Sequence, residues 1–254
     1  MNKLELSHEA LFYGAVLLGA KCIYGLKDPF YGSGEKKLLE YRDACRQELE
    51  DNHLGWMNFD GEFTLSEETA EYIRVVAFCE GCLQCQFAGS NPRREVLYFK
   101  ENRVLRIREE QTTLQLEWVE AKKIPDDIIS ELELPKDIDN PLQEVISDVL
   151  FEEIKTAKYS ANNTECNMPL EKALALLSEF LQGSKPANVF NWNNTSRDSV
   201  YCIVVLGDST EKALLLLEGD DRARNRLIEK TIASATETMF KEYFTLWGIG
   251  GFEA

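Results

Sequence analysis

Histidine is nearly absent from this chain. His8 and His53 are the only two in 254 residues. A Ser-His-Asp or Cys-His catalytic set would have to use one of them. His8 falls in the first turn of an expected helix and His53 just beyond another, where polar residues ordinarily meet solvent. Basic charge is also scarce: 28 lysines and arginines stand against 44 acidic residues, a formal net charge of -16. Such a balance favours solubility and repels polyanions, so nucleic acid is not an expected partner. Long apolar runs are missing too. Those present, such as Ile203 to Leu206 and Ala213 to Leu217, are strand-sized and far short of the roughly 18 residues of a membrane span. No secretory signal is expected, since MNKLELSHEALF lacks a continuous apolar run with a small-residue cleavage site. No phosphate-cradling GxxxxGK[ST] or GxGxxG occurs. The glycines at Gly248 to Gly251 follow a helix rather than lead into one.

Cysteine is present but unpaired in number. Seven are scattered along the chain, which suits a reducing cytosol better than a disulfide framework. In that compartment the sequons at Asn162 and Asn193 carry no glycan. The sharpest local motif is Cys79, Cys82 and Cys85. Three thiolates at this spacing could hold zinc or an iron–sulfur cluster. No histidine lies nearby as a fourth ligand, and a strand through 82–88 would send Cys82 and Cys85 to opposite faces. Small core thiols explain the cluster better. No cofactor or metal is expected, and no catalytic residues stand out. Glu67-Glu68 and Asp126-Asp127 fit helix first turns and solvated faces.

Apolar periodicity outlines the elements. Leu11, Ala15 and Leu18 share a helical face behind Ser7 as N-cap. Residues 20–34 read as loop. A second helix aligns Leu38, Tyr41, Cys45 and Leu49. Asp60-Gly61 between Phe59 and Phe63 signals a small hairpin. Ser66 then caps a helix carrying Ala70, Ile73 and Ala77 inward. From Gly81 the period becomes alternating: 82–88, EVLYFK, RVLRIR and TTLQLEWV read as an antiparallel meander with one buried face. In RVLRIR, Leu105 and Ile107 oppose Arg106 and Arg108. With Arg93, Arg94 and Arg103 these arginines form either a basic docking patch or, the favoured reading, cross-strand pairs with Glu95, Glu109, Glu110 and Glu117.

The second half repeats the order of elements without a sequence repeat. Asn140-Pro141 predicts a helix start, followed by a stripe of Leu142, Val145, Ile146, Val149, Leu150 and Ile154. A helix from Pro169 aligns Leu170, Leu174, Leu177 and Leu181 and stops at Gly183. Strands NVFNWN, SVYCIVVL and ALLLLE follow. A final helix over 222–246 is expected to bury Leu227, Ile232, Ala235, Phe240, Tyr243 and Phe244. Three regions emerge: 1–120, an acidic connection at 121–140 with a short helix near Ile128 to Leu132, and 141–254. They form two domains or one fused domain of α+β class, with a central antiparallel meander sheet and helical bundles.

The phrases LSHEALFYGAVLLG, LLEYRDACRQELEDNHLG, DGEFTLSEETAEYIRVVAFCE and EVLYFKENRVLRIREEQTTLQLEWVE, with the closing SVYCIVVLGDSTEKALLLLEGDD and its following helix, resemble in their order the EspG-like chaperones of type VII secretion. The likeness spans most of the chain as a pattern of elements. It departs in the Cys79–Cys85 cluster and in a shortage of glycine and alanine, which points to a distant, firmicute-type relative. The resemblance implies a quasi-two-fold arrangement of two similar halves and no enzymatic activity. It implies a cytoplasmic chaperone that holds a helical-hairpin secretion substrate of WXG or LXG type soluble and presents it to the secretion ATPase, with no membrane insertion. The corresponding regions here are the 88–94 loop, with Ser90, Asn91, Arg93 and Arg94, and the helices at 141–157 and 169–182, with Val145, Val149, Leu174 and Leu177. Two other classes compete. A winged-helix-like regulator would use residues 7–80, although the 67–80 helix has Arg74 against Glu67, Glu68, Glu71 and Glu80. A metal or redox protein would use Cys79, Cys82 and Cys85.

Overall fold

A computed structural model describes residues 3–88, 91–156, 168–183, 186–194, 199–207, 212–220 and 226–249. The chain divides into two units, Met1–Leu83 with Arg94–Val119, and Gln84–Arg93 with Glu120–Ala254.

The first unit opens with a strand, β1 (Lys3–Ser7), where the sequence suggested a direct start with helix. Leu4 and Leu6 are buried and Lys3 and Glu5 exposed, the alternation of a half-buried strand. They lie opposite Leu116 and Leu114 of β7 (Thr113–Val119). Ser7 then turns the chain into α1 (His8–Leu17). Its Oγ accepts from Ala10 N at 3.0 Å and donates to Glu48 at 2.6 Å on α2 (Glu35–Asp51). Between them 20–34 is irregular, as expected. The α2 stripe is buried only at Cys45 and Leu49, while Leu38 is exposed.

The small hairpin pairs β2 (Gly55–Met57) with β3 (Phe63–Leu65). Asn58 Oδ1 accepts from the amides of Asp60 and Glu62, and Gly61 supplies the left-handed φ of 79° that closes the turn. Ser66 caps α3 (Glu67–Ala77) by accepting from Thr69 N. α1 and α3 approach closely at Gly14, where a Cβ would stand 2.5 Å from Ile73 Cδ1. The exposed face of α3 carries Glu67, Glu68, Glu71 and Arg74, an acidic surface unsuited to a DNA backbone.

The meander follows as β4 (Gly81–Phe87), β5 (Arg93–Lys100), β6 (Arg103–Glu110) and β7. Leu105, Ile107, Leu114 and Leu116 join Leu11, Leu49 and Ile73 in one core. The expectation of a single buried face fails at β5. Val96, Leu97, Tyr98 and Phe99 are all buried, so this strand is covered on both sides, as its unbroken VLYF run permits.

In the second unit a 3-10 turn leads into α4 (Ile124–Leu132), whose last carbonyl accepts from Lys212 Nζ. The expected helix at Asn140-Pro141 is not there. Asn140 has a left-handed φ of 52°, and 143–145 form the edge strand β8 (Gln143–Val145). Helix α5 (Asp148–Lys155) starts only at Ser147, whose Oγ accepts from Leu150 N. Backbone pairing with a strand some ninety residues later overrides the helical stripe: Ser234 N donates to Leu142 O and Ile146 N to Lys230 O. That partner is β12 (Arg226–Ser234), in a stretch expected to be helical. β-branched Thr231 and Ile232 favour the strand, and the helix α7 (Glu237–Leu246) begins afterwards behind Thr236. The remaining elements are α6 (Met168–Leu181), β9 (Asn188–Asn194), β10 (Ser199–Gly207) and β11 (Lys212–Asp220).

One face of these strands carries Val204, Leu206, Leu215 and Ile232 against α5 and α6. The other packs on α7, with Phe190 on Phe240 at 5.5 Å between ring centroids and Tyr201 on Trp247 at 5.9 Å. Among the described residues the large antiparallel sheet has ten strands in the order β1-β7-β6-β5-β4-β9-β10-β11-β12-β8. With seven α-helices among the described residues, the class is α+β. Among those residues no helix is long and apolar enough to cross a membrane.

Candidate functional site

The 88–94 loop is described only in part, and Ser90 lies outside the described residues. Asn91 and Arg94 are exposed. Arg93 is engaged inside its own unit: its guanidinium lies 4.1 Å from the Phe87 ring centroid and pairs with Glu131. Ala88 N donates to Asn188 Oδ1 at 2.8 Å, which anchors the start of the loop.

The two expected partner helices differ in what they present. Leu174 and Leu177 are fully buried against the sheet and belong to the core of the second unit. Their helical spacing was legible, but it reports packing. Val145 and Val149 are 67% and 70% exposed. Val145 sits on β8 rather than on a helix, and Val149 lies in the first turn of α5.

Arg103, Arg106 and Arg108 of the meander are paired. Arg108 Nε lies 3.1 Å from Glu95 Oε2, and Arg106 NH1 3.3 Å from Glu117 Oε1. Arg103 stacks over Trp118 at 3.9 Å and pairs with Glu71. Glu95 and Arg108 face each other directly across β5 and β6, as do Arg106 and Glu117 across β6 and β7. Opposite charges at such positions stabilise a sheet. For Glu117, burial pushes its carboxyl up, but Arg108, Lys3 and Arg106 outweigh it and hold it below the ordinary range.

Cys82 and Cys85 are buried and Cys79 is half-buried. Burial pushes the Cys79 thiol up to about 11 and Cys82 well above the usual thiol range, the opposite of an activated thiolate. Among the described residues no cluster of three or more His, Cys, Asp or Glu is placed to hold a metal ion. His8 is half-buried in the first turn of α1, and His53 is exposed just after α2.

One feature escaped the sequence. A cavity of about 390 Å³ opens beside α7, lined by Tyr201, Leu216, Glu218, Glu229, Tyr243 and Trp247 among others. Placing 222–246 in one helix hid it, because Glu229 then has no position opposite Glu218. Burial, with the negative charge of Glu242 and Glu229, pushes the Tyr243 phenol up.

No protein-family profile and no curated protein sequence matches this chain. Its architecture is nevertheless shared with a solved structure. The chain is similar in fold to the Mycobacterium tuberculosis type VII secretion system chaperone EspG5, solved in complex with a PE25–PPE41 dimer, at a TM-score of 0.59. The likeness covers 94% of this chain and 93% of that one, at 11% sequence identity.

Proposed function

We propose that this protein is a type VII secretion chaperone that binds a helical-hairpin secretion substrate in the cytoplasm and keeps it soluble for export. The observation that carries the reading is the extent of the fold likeness. It runs through nearly the whole of both chains, and the similar chaperone was solved with its dimer bound. A shared fold does not by itself assign a function, so the reading also draws on this chain's own surface. Val145, Val149 and Leu246 are large apolar side chains left mostly exposed. Exposed apolar residues of this kind are what a partner helix can cover. The net charge of -16 disfavours nucleic acid and helps keep a bound apolar segment in solution.

The partner surface in this reading combines the 88–94 loop, through Asn91 and Arg94 with Ser90, and the exposed valines on β8 and α5. The substrate is of WXG or LXG type, consistent with a distant relative, and the secretion ATPase is the second partner. Co-expression with small helical-hairpin proteins encoded beside this one, followed by gel filtration, tests the proposal. A stable complex with one of them is expected. A folded protein that co-elutes with none would overturn it.

A further inference from the structure

The cavity beside α7 gathers carboxylates of one sign, of which Glu229 accepts a hydrogen bond from Thr231 Oγ1 at 3.1 Å. Tyr201, Glu218 and Glu229 stand in one cross-strand row over β10, β11 and β12, so Glu218 and Glu229 face each other directly. Like charges at such positions are destabilising. In the first unit the same kind of position holds Glu95 against Arg108. A register shift follows Glu218, between it and Gly219. Glu242 on α7 brings a third carboxylate to the lining, which among the described residues contains no lysine or arginine. Among the described residues none of the three glutamates has an ion-pair partner. Three aromatic side chains share the wall with aliphatic and polar ones: the Tyr201 and Trp247 rings lie 5.9 Å apart with planes at 32°, and Tyr243 Oη sits 3.5 Å from Gln143 Nε2.

We infer that this cavity receives an arginine side chain from a protein partner. A guanidinium is planar, stacks on aromatic faces and offers forked donors to two carboxylates at once. Placed between Glu218 and Glu229 it turns a repulsive cross-strand pair into two charge-assisted hydrogen bonds. The volume, about 390 Å³, is at the lower end of organic-ligand pockets and suits one side chain rather than a large cofactor. The rim favours a peptide over a free cation. Leu246, 75% exposed, lines the mouth, and Val145 stands opposite Thr231 on the same sheet face. Apolar neighbours of the arginine would cover both. The inference rests on the reading of this chain as a protein-binding module and adds the chemistry of one contact.

Calorimetric titration of the full chain at low salt tests it. The probes are acetyl-Leu-Arg-Leu-amide, the same peptide with citrulline, which is neutral and nearly isosteric, and arginine amide alone. The arginine peptide is expected to bind at least tenfold more tightly than the citrulline peptide and several-fold more tightly than arginine amide. Glu218→Gln and Glu229→Gln should each weaken it about tenfold, a loss of about 1.4 kcal/mol. Each should also leave the unbound protein as stable or raise its thermal midpoint by a degree or two, an outcome that a purely structural carboxylate would not give. Equal binding of the citrulline peptide, unchanged affinity in the glutamine variants, or loss of fold stability in them would overturn the inference. Arginine amide binding as tightly as the peptide would assign the pocket to a free cation instead. Binding seen only after Arg222→Ala with Arg224→Ala would assign it to the chain's own arginines, which also overturns it. Peptide binding without capture of any helical-hairpin protein would defeat the chaperone reading alone.

Discussion

Removing the Glu95 carboxylate tests whether the arginines of the meander are structural pairs or a free docking patch. The Glu95 side chain is 4% exposed, with Arg108 Nε at 3.1 Å and Arg106 Nε at 3.8 Å from Oε2. Breaking a buried ion pair from one side costs about 3–5 kcal/mol, because the partner charge is left uncompensated. Two features reduce that figure here. Arg108 is 36% exposed and recovers some hydration. Both arginines also keep Glu117, at 3.3 Å from Arg106 and 3.5 Å from Arg108. Glu95→Ala is therefore expected to destabilise the fold by about 2–3 kcal/mol, a drop of roughly 5–10 °C in Tm for a domain of this size. Urea unfolding followed by tryptophan fluorescence measures it, since Trp118 lies on β7, which pairs with the β6 strand of Arg106 and Arg108. A double-mutant cycle with Arg108→Ala should return a coupling of about 1–2 kcal/mol. A loss within about 0.5 kcal/mol together with negligible coupling would refute the pairing argument and restore the basic-patch reading.

Three further outcomes follow from the same structure. Glu117 has a folded pKa below its ordinary value of 4.5, so its stabilisation is present above that value and lost as pH falls through the lower, folded one. Glu117→Gln should flatten the acid limb of a stability–pH profile, and an unchanged slope would count against the cluster. Leu174→Ala should cost about 2–5 kcal/mol by opening a cavity, measured by the same unfolding assay; a near-neutral result would place Leu174 outside the core. In a Cys166→Ser background (Cys166 lies outside the described residues), exposed Cys22 should react fast with a thiol reagent, half-buried Cys202, its thiol pushed up to about 12, slowly, and buried Cys45, also pushed up to about 12, only on unfolding. Labelling of Cys79, Cys82 or Cys85 that turns fast only when a chelator is added would revive a metal site.

What was legible in the sequence is what is decided locally. Ser7 and Ser66 cap helices with their own hydroxyls, Gly61 and Gly183 take left-handed backbone, and the alternation in RVLRIR sorts core from surface within eight residues. The missed strands are those whose partners lie far along the chain. β1 pairs with β7 more than a hundred residues away, and β8 with β12 nearly ninety away. Each is short or carries apolar residues that also fit a helical stripe, so only the distant hydrogen-bonding edge decides. The exposed half of the α2 stripe and the burial of Leu174 and Leu177 show the same limit. Spacing identifies a face but does not say what covers it.

That limit bears on where a partner would sit. Val145 and Val149 look like one patch in sequence, yet they belong to different sides of the second unit. Val145 pairs with Thr231 on the sheet face that holds Glu218, Glu229 and α7. Val149 belongs to α5, whose Phe151 and Ile154 pack on the opposite face with α6. The proposed chaperone reading puts the substrate on the helical side, whereas the inferred arginine contact puts it on the pocket side. Val145→Asp and Val149→Asp separate them. Both valines are largely exposed, so neither change should alter stability by more than about 0.5 kcal/mol. If the substrate inserts an arginine beside α7, Val145→Asp weakens capture of the co-expressed partner, Val149→Asp does not, and Glu229→Gln behaves like Val145→Asp. If the substrate lies on α5 and α6, the order reverses and the glutamine variant is silent. Equal loss in both would require a partner that wraps the edge strand β8, whose side chains are exposed along its whole length. No loss in either would remove this end of the second unit from the interface and leave the 88–94 loop as the proposed contact.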